Sequence, residues 1–455
     1  SDSSSVLADQ HIFSSARLQY GLTPARDYEA KSQNNFQELC KKIDQSIQDE
    51  ALIYLEDGEP DDHLQSGLGV MEKRAPGLLL LRGGFDRLRF QATELVWKQY
   101  STKFPIKKPK IMTIHGDRTE ETMATFDFAE GSGFAEAERK ELMRRSLADE
   151  TSYLKEVAQA EESLREILNK KSFTTIVVKA APTGLAKIIR DIPNFKEKIA
   201  IVWTEPVGVR KEGGFGQMFN FYQDVQASKE LLELKVPIIV ACPRIGNAEM
   251  SVGVDKELMG LYRQHGGYKG KFEGFDNLNR IKSSNGVISK FIDAAAQKFQ
   301  GLMIDRWGKR LADLDAEEKT FREDNAAMPS SEDLTQKLQE FAFKRQQLQE
   351  SLGAKWDAIT QNVPKEKNFR EFCVVDPFAE TILSETLRQD AVEQVIQTNL
   401  EMIGSGKNMI FFPRIGAQEP EGNVFFITKV NSDGLKLRVQ TIVNWLAGGE
   451  GEIVV

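Results

Sequence analysis

The segment that decides the fold is residues 51–62, which read ALIYLEDGEPDD. An apolar run, Leu52 to Leu55, ends shortly before Asp57, and Asp61 and Asp62 follow after a glycine and a proline. A short apolar run bounded by Gly and Pro is typical of a buried strand. In open α/β sheets, ligands bind beyond the carboxyl ends of such strands. The three aspartates repel one another, so they indicate either a site for a hard cation such as Ca²⁺ or Mg²⁺ or a solvated acidic turn.

Strand and helix patterns alternate on both sides of this segment. Further buried strands are predicted at residues 77–81, 110–114, 174–179, 199–203 and 236–241, and helices at 63–73, 88–100 and 224–234. Such alternation is typical of a parallel sheet. We therefore predict an α/β fold with an open, mixed but mostly parallel, Rossmann-like sheet.

Charged helical segments interrupt this pattern. Residues 134–171 predict a long amphipathic helix or a helical hairpin, and residues 255–361 are predicted to be mostly helical, with a second long helix at 331–361. The predicted organisation is a flexible arm at residues 1–35 and a single domain at 36–455, with helical insertions at about 134–171 and 255–361. These insertions would pack on the domain or mediate homo-oligomer formation. Strands are also predicted at residues 409–412, 423–429 and 435–443.

Charge and composition argue against several kinds of binding partner and site. The 455 residues have a formal net charge of -8, which argues against nucleic-acid and anionic-membrane partners. No apolar stretch is long enough to span a membrane, and no basic segment precedes an apolar one at the start. We expect a cytoplasmic protein, or an effector secreted without a recognisable signal peptide. The three scattered cysteines and four histidines lack the spacing of a zinc site.

Several common catalytic motifs are missing from the sequence. A phosphatase of the haloacid dehalogenase type would need an aspartate where Leu55 stands. There is no GxxxxGK[ST] loop, no GxGxxG after the first strand and no GxSxG. Nucleotide triphosphate, dinucleotide and serine-hydrolase functions therefore lack support.

Four segments, in order, resemble motifs of the inosine-uridine type nucleoside hydrolases. Residues 57–62 resemble the motif DxDxxxDD without its first aspartate. Residues 178–186 (VKAAPTGLA) are similar to GPLTNLA, residues 218–227 (MFNFYQDVQA) to EFNxxxDPxAA, and residues 375–379 (VDPFA) to HDPxA. The resemblance covers most of residues 50–245 and a patch around residue 376.

The resemblance implies a calcium site and a hydrolytic reaction. The implied calcium ligands are the carboxylates of Asp57, Asp62 and Asp376 and the backbone carbonyl of Lys179. Asp57 is implied to accept a proton from the water that attacks the anomeric carbon, and Asp61 and Asn220 to bind ribose hydroxyls. Helix capping is the alternative role for Asn220 and Asp376, and is the role we predict for Asp224.

Three positions depart from the family pattern. Gly84 stands where the family has a ribose-binding asparagine, Met218 replaces the acid of EFN, and Val375 replaces the histidine of HDP. The leading hypothesis is therefore an enzyme that hydrolyses N-ribosyl bonds with Ca²⁺ in an altered pocket. One alternative is a weakened binding or effector protein that keeps metal and ribosyl-ligand affinity, since the layout also resembles nucleoside-hydrolase-like effectors of plant-pathogenic bacteria. A third is an assembly scaffold.

Overall fold

A computed structural model describes residues 22–116, 134–209, 214–241, 244–245, 271–272, 308–352, 372–373, 376–414, 419–431 and 433–446. In these residues the strands are β1 (Leu52–Glu56), β2 (Leu78–Arg82), β3 (Lys110–Ile114), β4 (Thr174–Val178), β5 (Ile199–Thr204), β6 (Val207–Val209), β7 (Phe215–Gln217), β8 (Ile238–Ala241), β9 (Arg244–Ile245), β10 (Lys271–Phe272), β11 (Phe372–Cys373), β12 (Val392–Ile403), β13 (Ile410–Arg414) and β14 (Val424–Val430).

The helices over the same residues are α1 (Leu22–Gln48), α2 (Pro60–Met71), α3 (Asp86–Lys103), α4 (Glu136–Ala148), α5 (Glu150–Lys170), α6 (Leu185–Arg190), α7 (Phe195–Lys198), α8 (Phe219–Tyr222), α9 (Val225–Glu233), α10 (residues 308–324), α11 (Glu332–Leu352), α12 (Glu380–Leu383), α13 (Glu385–Ala391) and α14 (Asp433–Leu446). Short 3-10 turns cover Asp376–Ala379 and Gly406–Asn408. None of these helices is both long and apolar enough to cross a membrane.

The predicted fold class is confirmed. Twelve strands form one sheet in the order β3-β2-β1-β4-β5-β8-β14-β12-β13-β7-β6-β9. The pairs from β3 to β14 are parallel, and β12 pairs antiparallel with both β14 and β13. From β1 the chain builds outward through β2 and β3 on one side, and β4 and β5 lie on the other. The topological switch point, where ligands bind in such sheets, therefore lies between β1 and β4.

Helices cover both faces of the sheet around β1. Every residue of β1 is buried, as a continuous apolar run predicts for a central parallel strand. Leu52 and Tyr54 join a core shared with α1, α2, α3 and α14. Ile53 and Leu55 face the opposite core, shared with α5, α6 and α9. Each fully buried aliphatic side chain contributes roughly 1.5–3 kcal/mol, so the strand end that carries the acidic residues is firmly anchored.

Two sequence predictions are wrong in the described residues. Residues 435–443, predicted as a strand, lie in helix α14, because Leu435, Val439 and Ile442 recur at helical spacing and are fully buried. Residues 22–35, predicted as part of a flexible arm, belong to α1, where Tyr28 and Ser32 are buried. Strand β12 was not predicted. The division into an arm, one domain and insertions otherwise stays a prediction.

The helical insertions are partly described. Residues 134–171 form two successive helices, α4 and α5, with Asp149 capping α5 by accepting a hydrogen bond from the Ser152 backbone N–H. In the second insertion, α10 and α11 contact each other through Phe321 and Phe341, whose ring centroids are 5.8 Å apart. Helix α11 ends at Leu352, and residues 353–361 of its predicted length lie outside the described residues.

Candidate functional site

The acidic residues lie at the switch point of the sheet. Strand β1 ends at Glu56 and β4 at Val178, so Asp57 and Lys179 follow the carboxyl ends of two neighbouring strands. Gly58 has φ +76°, and a Cβ there would lie 3.1 Å from the Thr93 hydroxyl oxygen. This left-handed turn, which favours glycine, redirects the chain from β1 into α2. The first turn of α2 thereby carries Asp61 and Asp62 back over the strand end.

Three carboxylates converge from two distant parts of the sequence. One oxygen each of Asp61, Asp62 and Asp376 lies within 4.8 Å of the others. Asp62 and Asp376 are buried, and Asp61 is half-buried. Asp376 opens the 3-10 turn that contacts α2 and β5. We refer to these three residues as the carboxylate group.

Hydrogen bonds hold the carboxylate group in place but leave one oxygen unsatisfied. Asp62 Oδ2 accepts from the Glu59 backbone N–H at 2.9 Å, in a capping box at the start of α2. The Thr204 hydroxyl donates to Asp376 Oδ1 at 2.8 Å. Among the described residues, no donor hydrogen-bonds to the buried Asp62 Oδ1. An ionised buried carboxylate oxygen without a donor is costly, so a nearby cation would stabilise the ionised form of Asp62.

The side chain of Lys179 also reaches this group. Its Nζ lies 3.0 Å from Glu56 Oε2, 2.7 Å from Gln65 Oε1 and 3.8 Å from Asp62 Oδ1. The ammonium also stands 4.4 Å from the ring centroid of Tyr54. The resemblance had assigned a role only to the Lys179 carbonyl, and that role stays a prediction.

Burial dominates the electrostatics of the site. Burial raises the pKa of Asp61 to about 6 and that of Asp62 to about 7, and the Lys179 ammonium opposes both shifts. Burial and the neighbouring Asp61 and Asp62 hold the pKa of Asp376 well above its ordinary value. Burial also raises the pKa of Glu56 to about 7. Burial alone would lower the pKa of Lys179, but Glu56 and Asp62 outweigh it and raise that pKa.

These residues fit a hard divalent cation. The carboxylate group supplies oxygen ligands at mutual distances compatible with one ion, and one of its buried oxygens has no donor among the described residues. Lys179 provides one positive charge against the carboxylates of Glu56, Asp61, Asp62 and Asp376. When these acids are ionised, their negative charge exceeds the single positive charge of the lysine, so a metal ion would stabilise the ionised forms.

Asp57 lies beside this group and not within it. It is buried, and its Oδ1 is 3.5 Å from Arg89 Nη1. Its negative charge contributes to the raised pKa values of Asp61 and Asp62, so it is close to both. Its predicted roles as a ligand and as a proton acceptor stay predictions.

Asn220 is linked to the carboxylate group through one residue. It lies inside α8, whose N-cap is Met218, so it does not act as the N-terminal cap. Its Nδ2 donates to the Thr204 carbonyl oxygen at 2.9 Å, and the Thr204 hydroxyl contacts Asp376. Asp224 does cap α9, as predicted, by accepting from the Ala227 backbone N–H at 3.1 Å.

One departure from the family pattern has a structural counterpart. A Cβ at Gly84 would lie 3.2 Å from Arg89 Cζ, so the guanidinium of Arg89 fills the space beside this glycine. The arginine is buried and also donates to the Gly83 carbonyl oxygen at 3.3 Å. It therefore adds a positive charge where the resembled family has a neutral asparagine. Val375 lies outside the described residues.

Sequence reasoning missed Glu56, Thr204, Arg89 and the ammonium of Lys179. The sequence did contain a signal for Glu56 and for the Lys179 side chain. An acid directly follows the apolar run Leu52 to Leu55, and a lysine ends the strand predicted at residues 174–179. The pairing of β1 with β4 places the two side chains next to each other. Thr204 and Arg89 gave no such signal, because a threonine at a strand end and an arginine in a helix are ordinary.

Solved structures to which the chain is similar include two nucleoside hydrolases and an effector. A purine-preferring ribonucleoside hydrolase from Gardnerella vaginalis has 11% identity and a TM-score of 0.48, covering 87% of this chain and 98% of that one. An inosine-uridine preferring nucleoside hydrolase from Bacillus anthracis has 12% identity and a TM-score of 0.42, with coverage of 87% and 98%. The effector protein XOO4466 has 12% identity and a TM-score of 0.41, with coverage of 88% and 92%.

Neither a protein-family model nor a curated protein matches the sequence. With identities of 11–12% and TM-scores below 0.5, the similar structures carry no conclusion about activity.

Proposed function

We propose that this protein hydrolyses the N-ribosyl bond of a nucleoside or related ribosyl compound and depends on a bound calcium ion. The observation that carries the proposal is the convergence of Asp61, Asp62 and Asp376 at the switch point, with Asp62 Oδ1 buried and lacking a donor among the described residues. The order of the four motif segments supports the same reaction class.

The ligand set that we propose differs in part from the one the motifs imply. Asp62 and Asp376 are common to both sets, and Asp61 joins them because its oxygen lies within 4.8 Å of theirs. When bound, calcium would act as a Lewis acid and lower the pKa of a water molecule. Asp61 is the half-buried member of the three, so its carboxylate is the one that a sugar hydroxyl would reach.

The remaining residues would bind the sugar and move a proton. Asp57 follows the end of β1, beside the carboxylate group, and would accept the proton of the attacking water. Asn220 would present its amide oxygen to a ribose hydroxyl while its Nδ2 stays bonded to the Thr204 carbonyl oxygen. As the bond to the base breaks, positive charge develops on the ribosyl ring, and the surrounding carboxylates would stabilise it.

Calcium calorimetry tests the metal part of this proposal. Wild-type protein should bind one calcium ion, and Asp62→Asn should bind it at least about 100-fold more weakly, because a charged ligand is lost. Asp333→Asn, an exposed aspartate in the first turn of α11, is the matched control and should bind like wild type. Equal affinity in wild type and Asp62→Asn would show that the metal lies elsewhere.

A panel of purine and pyrimidine nucleosides tests the reaction. Ribose release above a blank, lost on removal of calcium, is the expected result. A second candidate function, a ribosyl-binding protein with weakened turnover, is favoured by Arg89 beside Gly84 and by the apolar Met218. Measurable binding of a ribosyl ligand with no ribose release would support this second function.

A further inference from the structure

The Lys179 ammonium is enclosed by partners that fix its position. Its side chain is completely buried, with Glu56 Oε2 at 3.0 Å and Gln65 Oε1 at 2.7 Å. Gln65 is itself held, because its Nε2 donates to Glu380 Oε1 at 2.6 Å. The ring of Tyr54 lies on another side of the ammonium. Turning this ammonium toward solvent would break its hydrogen bonds to Glu56 and Gln65 and leave the buried Glu56 carboxylate without its cation.

The fixed ammonium competes with a metal ion for the same carboxylate. Lys179 Nζ is 3.8 Å from Asp62 Oδ1, the oxygen that has no hydrogen-bond donor in the described part of the chain. A divalent ion held by Asp62 would share that carboxylate with a permanent positive charge. Like charges close to each other repel strongly where water is excluded.

The ammonium also has a favourable effect on the protein without metal. The carboxylates of Asp61, Asp62 and Asp376 lie together, Glu56 shares the Lys179 ammonium with Asp62, and burying several like charges together is costly. One internal ammonium offsets part of that cost.

We propose that the Lys179 ammonium is a built-in counter-cation of the candidate metal site. It stabilises the fold before metal binds, and it lowers the affinity for divalent cations by repulsion. This inference rests on the proposed function, because it assigns a second cation to the proposed calcium site. Lys179 is a positioning residue in this role, since it acts through the carboxylates.

The test compares wild type with Lys179→Met, which keeps much of the side-chain length and removes the charge. Calcium affinity, measured by calorimetry, should rise about 10- to 100-fold in the variant. The midpoint of thermal unfolding without calcium should fall, and the increase produced by calcium should exceed that of wild type. Lys187→Met, an exposed lysine on α6, is the control and should change neither quantity.

A second variant covers the case in which Lys179→Met does not fold. Glu56→Gln combined with Lys179→Met removes one negative and one positive charge, so the net charge of the site is unchanged. The double variant should still bind calcium more tightly than wild type, because the charge beside Asp62 is gone. Unchanged or weaker binding in both variants overturns the inference.

The outcomes separate this inference from the proposed function. Calcium binding by wild type with no gain in the variants overturns the counter-cation role and leaves the metal site standing. No binding by wild type with binding by Lys179→Met supports the counter-cation role and overturns calcium dependence. No binding by any of these proteins overturns both.

Discussion

At the scale of single residues, the site depends on groups that orient its charged side chains. Thr204 ends β5, and its hydroxyl donates to Asp376 Oδ1 while its carbonyl oxygen accepts from Asn220. This one residue thus connects the carboxylate group to the proposed ribose-binding amide. Mutation of the partners that orient metal ligands typically lowers metal affinity by about 10- to 100-fold.

Replacing Thr204 by valine tests this connection. Valine keeps the shape and suits a strand, so Thr204→Val should cost only about 1 kcal/mol of folding free energy. Calcium affinity should fall about 10- to 100-fold, because Asp376 loses the donor that orients it. Calorimetry measures the affinity and thermal unfolding measures the stability. Thr102→Val, an exposed threonine that donates to the Lys98 carbonyl oxygen, should alter neither. Full calcium affinity in Thr204→Val would contradict this role.

Residue types and spacing allow some of these side chains to be predicted, and geometry decides the rest. Asp61, Asp62 and Asp376 were all predicted site residues, and the structure brings their oxygens together. The motifs imply a sugar contact for Asp61 and metal contacts for Asp62 and Asp376. They do not reveal that the first turn of α2 brings an oxygen of Asp61 within 4.8 Å of those of the other two. The position of Arg89 depends on a helix packing against a glycine loop, and no local pattern reveals that.

At the scale of elements, the turn from β1 into α2 controls the site. Gly58 occupies a left-handed conformation, and its neighbours are Thr93, Leu81 and Arg89. The turn sets the direction of α2 and with it the positions of Asp61 and Asp62. The geometry of the site therefore depends on this backbone turn as well as on the carboxylate side chains.

Gly58→Ala should therefore damage both stability and metal binding. A Cβ would lie 3.1 Å from the Thr93 hydroxyl oxygen at φ +76°, so we expect a loss of about 1–3 kcal/mol. Calcium affinity should fall with it, because α2 must shift. Gly406→Ala is a matched control, with φ +55° and no described atom within 4 Å of the added carbon. This variant should lose folding free energy only through the strained backbone and should keep its calcium affinity. Equal calcium affinity in the two variants would argue against control by the turn.

Elements with a strong local pattern were predictable, and those decided by packing were not. Five residues of β1 are buried between two cores, and a continuous apolar run is typical of that environment. The segment of α14 contains β-branched residues that also suit a strand. Its buried Leu435, Val439 and Ile442 face α2 and α3 in one core, so packing selects the helix.

At the scale of the whole molecule, burial of the carboxylates makes stability depend on pH. Burial raises the pKa to about 6 for Asp61 and to about 7 for Asp62 and Glu56, from ordinary values of 3.8 to 4.5. Between about pH 4 and pH 7 the unfolded chain therefore binds fewer protons than the folded protein does. Stability without metal should fall as pH rises through this window, since the fold must ionise groups that it keeps protonated at lower pH.

Calcium should reverse this trend. The ion favours the ionised carboxylates, and ligand binding to the folded state adds RT ln(1 + [L]/Kd) to its stability. Thermal unfolding at about pH 5.5 and about pH 8 measures the effect, with chelator or with calcium. With chelator, the midpoint should be several degrees lower at the higher pH, and calcium should close most of that gap. Asp62→Asn removes one titrating group, so with chelator its unfolding midpoints at the two pH values should differ less than those of wild type. Asp333→Asn should match wild type. Equal stability at the two pH values in the presence of chelator would mean that the carboxylates have the same pKa values in the folded protein as in the unfolded chain.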